Sequence, residues 1–107
     1  MRERALTLTA LRASFDQAVA RSGDPGIVRV LLIHPDDLAD FVAVYGAAIG
    51  LPEQSGFAAI RTVHEIAGIG VVPTPHIRRG AWKVVPKHAV SQLGTERAAA
   101  FAELGAL

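Results

Sequence analysis

The sequence predicts an α/β (α+β) fold: a small mixed or antiparallel sheet flanked by two to three helices. Two observations carry this. Apolar residues recur every three or four positions over 8–19 and 38–49, as on one face of a helix. They crowd into short, β-branched runs at 27–33, 69–72 and 81–85, as in strands. Glycine, proline and aspartate stand at the joints, where turns need them. Strands are expected at 27–33, 58–64, 69–72 and 81–85, and helices near 7–21 and 35–48.

Each element has its own local chemistry. In the first helix Leu8, Leu11, Phe15, Ala18 and Val19 form the apolar stripe, with Arg12, Asp16 and Arg21 elsewhere around the wheel. Thr7 or Thr9 suits its N-cap and Gly23 its left-handed stop, and "DPG" at 24–26 then turns the chain. "IVRVLLI" reads as a largely buried strand. At "HPDD" Pro35 fits a first helical turn, and Asp36 and Asp37 favour the positive end of the helix dipole. Leu38, Phe41, Val42, Tyr45 and Ile49 face the core of the second helix. "GLPEQSG" at 50–56 is a loop. A strand, a break at Ala67-Gly68 and a second strand follow.

In "AWKVV", Trp82 and Val84 share one face, Lys83 and Val85 the other, and Pro86 ends the run. "TERAAAFAEL" reads as a short helix capped by Thr95, with Ala98, Phe101 and Leu104 as a weak stripe. The predicted core is Leu11, Phe15, Val30, Leu32, Leu38, Phe41, Val42, Tyr45, Ile60, Val71, Val72 and Val84. The 107 residues suit one domain, with 88–107 as a tail carrying that short helix.

Composition narrows function by exclusion. The chain has no cysteine, so disulfides and thiolate metal sites are impossible, which suits a cytosolic setting. No apolar run is long enough to span a bilayer, and the N-terminus lacks the uninterrupted apolar segment of a signal peptide. A net charge of +1 gives no global pull toward nucleic acid.

The candidate constellations are weak. His34, His64, His76 and His88, with Asp36, Asp37 and Glu65, show no helical i, i+4 pair. His34 belongs at an N-cap, and strand neighbours His64 and Glu65 point to opposite faces. No metal is expected. Ser14, Ser22, Ser55 and Ser91 lie outside any Gly-x-Ser-x-Gly turn, and the dipole already accounts for Asp36 and Asp37, so no catalytic residue is assigned. Gly68-x-Gly70 lacks the third glycine and the following helix of a dinucleotide loop, and no cofactor is expected. "HIRRGAWKVVPKH" carries Arg78, Arg79, Lys83 and Lys87 around a Trp with no acid. Such interleaving can bind single-stranded nucleic acid, can be the solvent face of a hairpin, or can meet acidic groups on a neighbouring subunit.

Two longer segments, "VRVLLIHPDDLADFVAVYG" and "AGIGVVPTPHIRRGAWKVV", resemble the axial domain of tailed-bacteriophage major capsid proteins, the fold also used by encapsulin shells. In that family a strand ends in an Asn-Pro or His-Pro step before a helix. After a variable excursion comes a Gly-hydrophobic-Pro-Val-Val-x-Thr segment, a short loop, a Gly and a final strand. His34, Pro35 and Asp37 match the first step; Gly68, Val71, Val72, Pro73, Thr74 and Gly80 match the second. The resemblance covers roughly residues 8–86. Gly70 stands where the family often has Pro, and the spine helix, extended β-hairpin loop and N-terminal arm of a full capsid protein have no counterpart here.

The resemblance implies self-association in place of chemistry, as a shell component, an excised domain or a relic. Its partners would be further copies or other capsid-type subunits, its place a virion or the bacterial host cytoplasm. It also implies that the 73–80 loop joins two strands, with Arg78 and Arg79 at an exposed or subunit-facing tip. The alternative is a nucleic-acid-binding module using the 76–88 face.

Overall fold

The computed structural model describes residues 6–45, 65–66 and 69–105. Ile49, Ser55, Ile60, His64, Gly68, the strand expected at 58–64 and the end of the helix beyond Tyr45 lie outside the described residues.

A mixed sheet of four strands forms the centre of the described residues: β1 (Arg29–Ile33), β2 (Glu65–Ile66), β3 (Ile69–Pro73) and β4 (Trp82–Pro86), in the order β2-β3-β1-β4. β1 runs parallel to β3, with Val30 opposite Gly70 and Ile33 opposite Pro73. It runs antiparallel to β4, with Arg29 opposite Pro86 and Ile33 opposite Trp82. The four described helices are α1 (Leu8–Ser22), α2 (Pro35–Tyr45), α3 (Lys87–Leu93) and α4 (Thr95–Glu103).

Capping explains where α1 begins and ends. The Thr7 hydroxyl accepts from the Ala10 N–H at 3.0 Å, and Gly23, at φ 69°, donates its N–H to Val19. That left-handed conformation costs any residue with a Cβ about 1–2 kcal/mol.

The period-two alternation of the central strands divides the core. Leu31, Ile33, Trp82, Val84 and Ile69 pack against Leu11 and Ala18 of α1 and Leu38, Phe41 and Val42 of α2. Val30, Leu32 and Val85 face the other way, onto Ala98, Ala99 and Ala102 of α4 and Ile77 of the β3–β4 loop. β1 is buried along its whole length because both faces are covered.

Several details differ from the sequence expectations. β1 starts at Arg29, not Ile27, and Val28 is exposed. Arg29 is itself buried: its guanidinium donates to Ile27 O at 3.0 Å, to Asp24 O at 2.9 Å and to the Ser22 hydroxyl. It therefore satisfies two carbonyls of the segment after α1 and bonds the hydroxyl of the last α1 residue, with its guanidinium 6.0 Å from the Phe15 ring centroid. Phe15, Tyr45, Val71 and Val72 are half-buried at the margins of the two clusters. The C-terminal segment holds two helices and belongs to the core. Thr95 is the first helical residue of α4, behind Gly94 as N-cap with no side-chain cap bond. Phe101 and Leu104 are 41% and 80% exposed. Alanines face the sheet instead, since small side chains let a helix backbone approach closely.

Candidate functional site

Both groups of motif residues meet at one corner, beyond the carboxyl ends of the parallel strands β1 and β3. The chain leaves β1 through His34, whose Nδ1 accepts the Asp36 N–H at 3.1 Å and whose carbonyl accepts from the Leu38 N–H at 3.0 Å. His34 is thus the N-cap of α2, and Pro35 takes the first position, where no N–H is needed. The chain leaves β3 through Pro73 and buried Thr74. The Thr74 N–H donates to Ile33 O at 2.9 Å, extending the parallel ladder. The Thr74 hydroxyl accepts the His76 N–H at 3.2 Å, which turns the chain away from the sheet. Ile77, fully buried, pins the middle of the loop against the α4 face.

Asp37 closes the corner. It is only 6% exposed, and its two oxygens take separate donors of the returning loop: Oδ1 accepts from Arg79 Nε at 2.6 Å, and Oδ2 from the Gly80 N–H at 2.7 Å. Arg79 reaches further along α2, to Asp40 at 2.9 Å and Asp36 at 3.5 Å. Gly80 holds φ 77°, which presents its N–H to the carboxylate with no Cβ to strain.

Arg79 therefore departs from its expected position at an exposed tip. Its side chain is 34% exposed and bound to three carboxylates of α2. Arg78 does project into solvent, 3.7 Å from Glu103 at the end of α4, an exposed pair that contributes little. Lys83 lies half-buried on β4, alternating with Trp82 and Val84 as expected, and exposed Lys87 opens α3. Two of the four cations of the 76–88 stretch, Arg78 and Arg79, thus face carboxylates of α4 and α2. Pro75, His76 and Arg78 make the exposed surface of the corner. Gly68, the remaining motif residue, lies outside the described residues.

Asp40 and Glu103 enter the corner without having been singled out in the sequence. One signal was available: α2 carries Asp36, Asp37 and Asp40 and no basic residue, so their cation had to come from another element. Among the described residues no group of three or more His, Cys, Asp or Glu is placed to hold a metal ion, and no described helix is long and apolar enough to cross a membrane. What the corner supplies chemically is a fixed surface: its carboxylates are occupied by a guanidinium and a backbone N–H. No family model, curated protein or solved structure matches this chain.

Proposed function

We propose that this protein is a structural, self-associating module resembling the axial domain of a phage major capsid protein, with the 73–80 corner as its subunit contact. The observation that carries this reading is the Asp37 clasp. By holding both Arg79 and Gly80, it fixes the tip formed by Pro75, His76 and Arg78 relative to the sheet. A preorganised surface loses little entropy when a second subunit docks on it. The segments that resemble the capsid family, far apart in sequence, supply the two halves of this one corner. Axial domains of that family pack around the five- or six-fold axis of a capsomer. On this reading the partners are further copies or other capsid-type subunits, in a virion or the host cytoplasm, and no residue acts in catalysis.

The nucleic-acid alternative draws less support, because Arg79 is bound to the carboxylates of α2 and Arg78 lies 3.7 Å from Glu103. The two readings respond oppositely to salt. Phosphate binding weakens steeply as salt rises, whereas association through buried apolar surface persists or strengthens in sulfate. Sedimentation velocity and binding to fluorescent oligothymidylate, both followed from low to high salt, separate them. The account predicts oligomers that survive high salt and no oligothymidylate binding at physiological salt. Micromolar oligothymidylate affinity without oligomers would sink it.

A further inference from the structure

Among the described residues no strand pairs with the outer edge of β4. β4 is the last strand of the described sheet on its side, and its ladder with β1 shows which backbone groups point outward. The Lys87 N–H donates to Val28 O, so Val85 and Lys83, at alternate positions, also bond β1, and Val84 and Pro86 direct their backbone groups away from it. Ile33, opposite Trp82, confirms this phase by turning its carbonyl to Thr74 on the β3 side. The Val84 N–H and carbonyl and the Pro86 carbonyl thus face outward. Pro86 has no N–H to leave unmet there, as suits an edge strand.

This edge lies at the floor of a groove. Two depressions of about 130 and 170 Å³, sharing Arg21 and Val84, run along it. Ser14, Gln17 and Arg21 of α1 form one wall; Ala102 and Gly105, at the end of α4, form the other. Trp82 Nε1 donates to the Ser14 hydroxyl at 3.2 Å and ties the α1 wall to the strand.

The charge of the groove is one-sided. Arg12, Arg78 and Arg79 pair with acids elsewhere on the surface. Arg21 and Lys83 have no ion pair among the described residues, and both line the groove with no acid among its lining residues.

We propose that the β4 edge is a docking groove for an extended, acidic segment of a partner protein, which adds to the sheet as a further strand. The outward backbone groups supply the hydrogen bonds, and a strand's alternating side chains reach both cations, Arg21 on the α1 side and Lys83 on the α4 side. A second copy of this chain is a poorer occupant, because pairing β4 with itself brings Arg21 and Lys83 of both copies together. The groove is separate from the 73–80 corner, and the proposal stands independently of association there.

The test uses the isotope-labelled chain and the peptide acetyl-Thr-Glu-Glu-Val-Glu-Glu-Thr-amide, which as a strand carries glutamates on both faces. The peptide should shift the Val84 amide resonance and slow its hydrogen exchange at least about tenfold at saturation. A peptide with lysine in place of glutamate, oligothymidylate, and an acidic peptide N-methylated at alternate residues should leave Val84 unchanged. The R21E/K83E variant should bind the acidic peptide at least about tenfold more weakly and prefer the lysine peptide.

No response at Val84, an N-methylated peptide that binds as well as its parent, or oligothymidylate that occupies the groove would overturn the proposal. So would wild-type protein that dimerises through β4. The N-methylated comparison keeps the test decisive even if the double variant folds poorly.

Discussion

Replacing Asp37 by alanine tests the corner at its most constrained point. The substitution removes two charge-assisted hydrogen bonds, to Arg79 Nε at 2.6 Å and to the Gly80 N–H at 2.7 Å. Each such bond contributes about 1.5–3 kcal/mol in a partly buried setting. The Arg79 guanidinium keeps Asp40 and Asp36 as partners and stays partly solvated, so the full penalty of a stranded buried charge does not apply. The Gly80 N–H loses its carboxylate outright. The net expectation is a loss of about 2–4 kcal/mol, a fall of about 9–18 °C in Tm for a domain of this size.

Urea and thermal unfolding, followed by circular dichroism, measure it directly. A double-mutant cycle with Arg79→Met separates the ion pair from the rest and should return a coupling of about 1–3 kcal/mol. An Asp37→Ala loss below about 0.5 kcal/mol, the level of an ordinary surface substitution, would mean that the clasp does not hold the loop.

Two further outcomes test the two faces of the core. Phe41→Ala, on the buried face of α2, should cost about 3–5 kcal/mol in the same unfolding experiment; a loss under about 1 kcal/mol would show that this face is not buried. Ala99→Leu, where α4 meets the sheet, should cost about 1–3 kcal/mol through overpacking, whereas an unchanged midpoint would mean that α4 stands off from the sheet.

Local rules made much of the scaffold readable in the sequence. Val30 to Ile33 form an apolar run too short for a helix, and the strand is there. Thr7 and Gly23 act as the caps their chemistry suggests, because a cap needs only neighbours within one turn. His34, Pro35 and the two aspartates likewise declare a helix start. Those same rules hid the partner of Asp37. The helix dipole was a sufficient local reason for an acid in the first turn, while Arg79 and Gly80 lie more than 40 residues away. No periodicity links residues so distant.

The α4 face is only partly legible for a related reason: Ala98 is buried as expected, while Phe101 and Leu104 are exposed. Phe101 is the most hydrophobic residue of its segment, yet the sheet accepts a close backbone and selects the alanines instead. Ile77 is a single apolar residue in a loop, with no period to mark its burial in the sequence. Arg29 looked like an interruption of the strand. Only the fold shows that the carbonyls of Asp24 and Ile27, between α1 and β1, need its donors.

Sedimentation velocity across a wide concentration range, on wild-type protein and on R78E, bears most directly on the claim that this chain is a structural, self-associating module. Arg78 is exposed, and its substitution should leave the fold unchanged within about 0.5 kcal/mol, so any effect reports on the contact. A stable interface usually buries more than about 1,000 Å², and the exposed corner offers only a few residues. The wild type should therefore be monomeric when dilute and form discrete, ring-sized oligomers as concentration or sulfate rises, with R78E shifted toward monomer. A wild type that stays monomeric at every concentration and salt, or oligomers indifferent to R78E, would contradict the account.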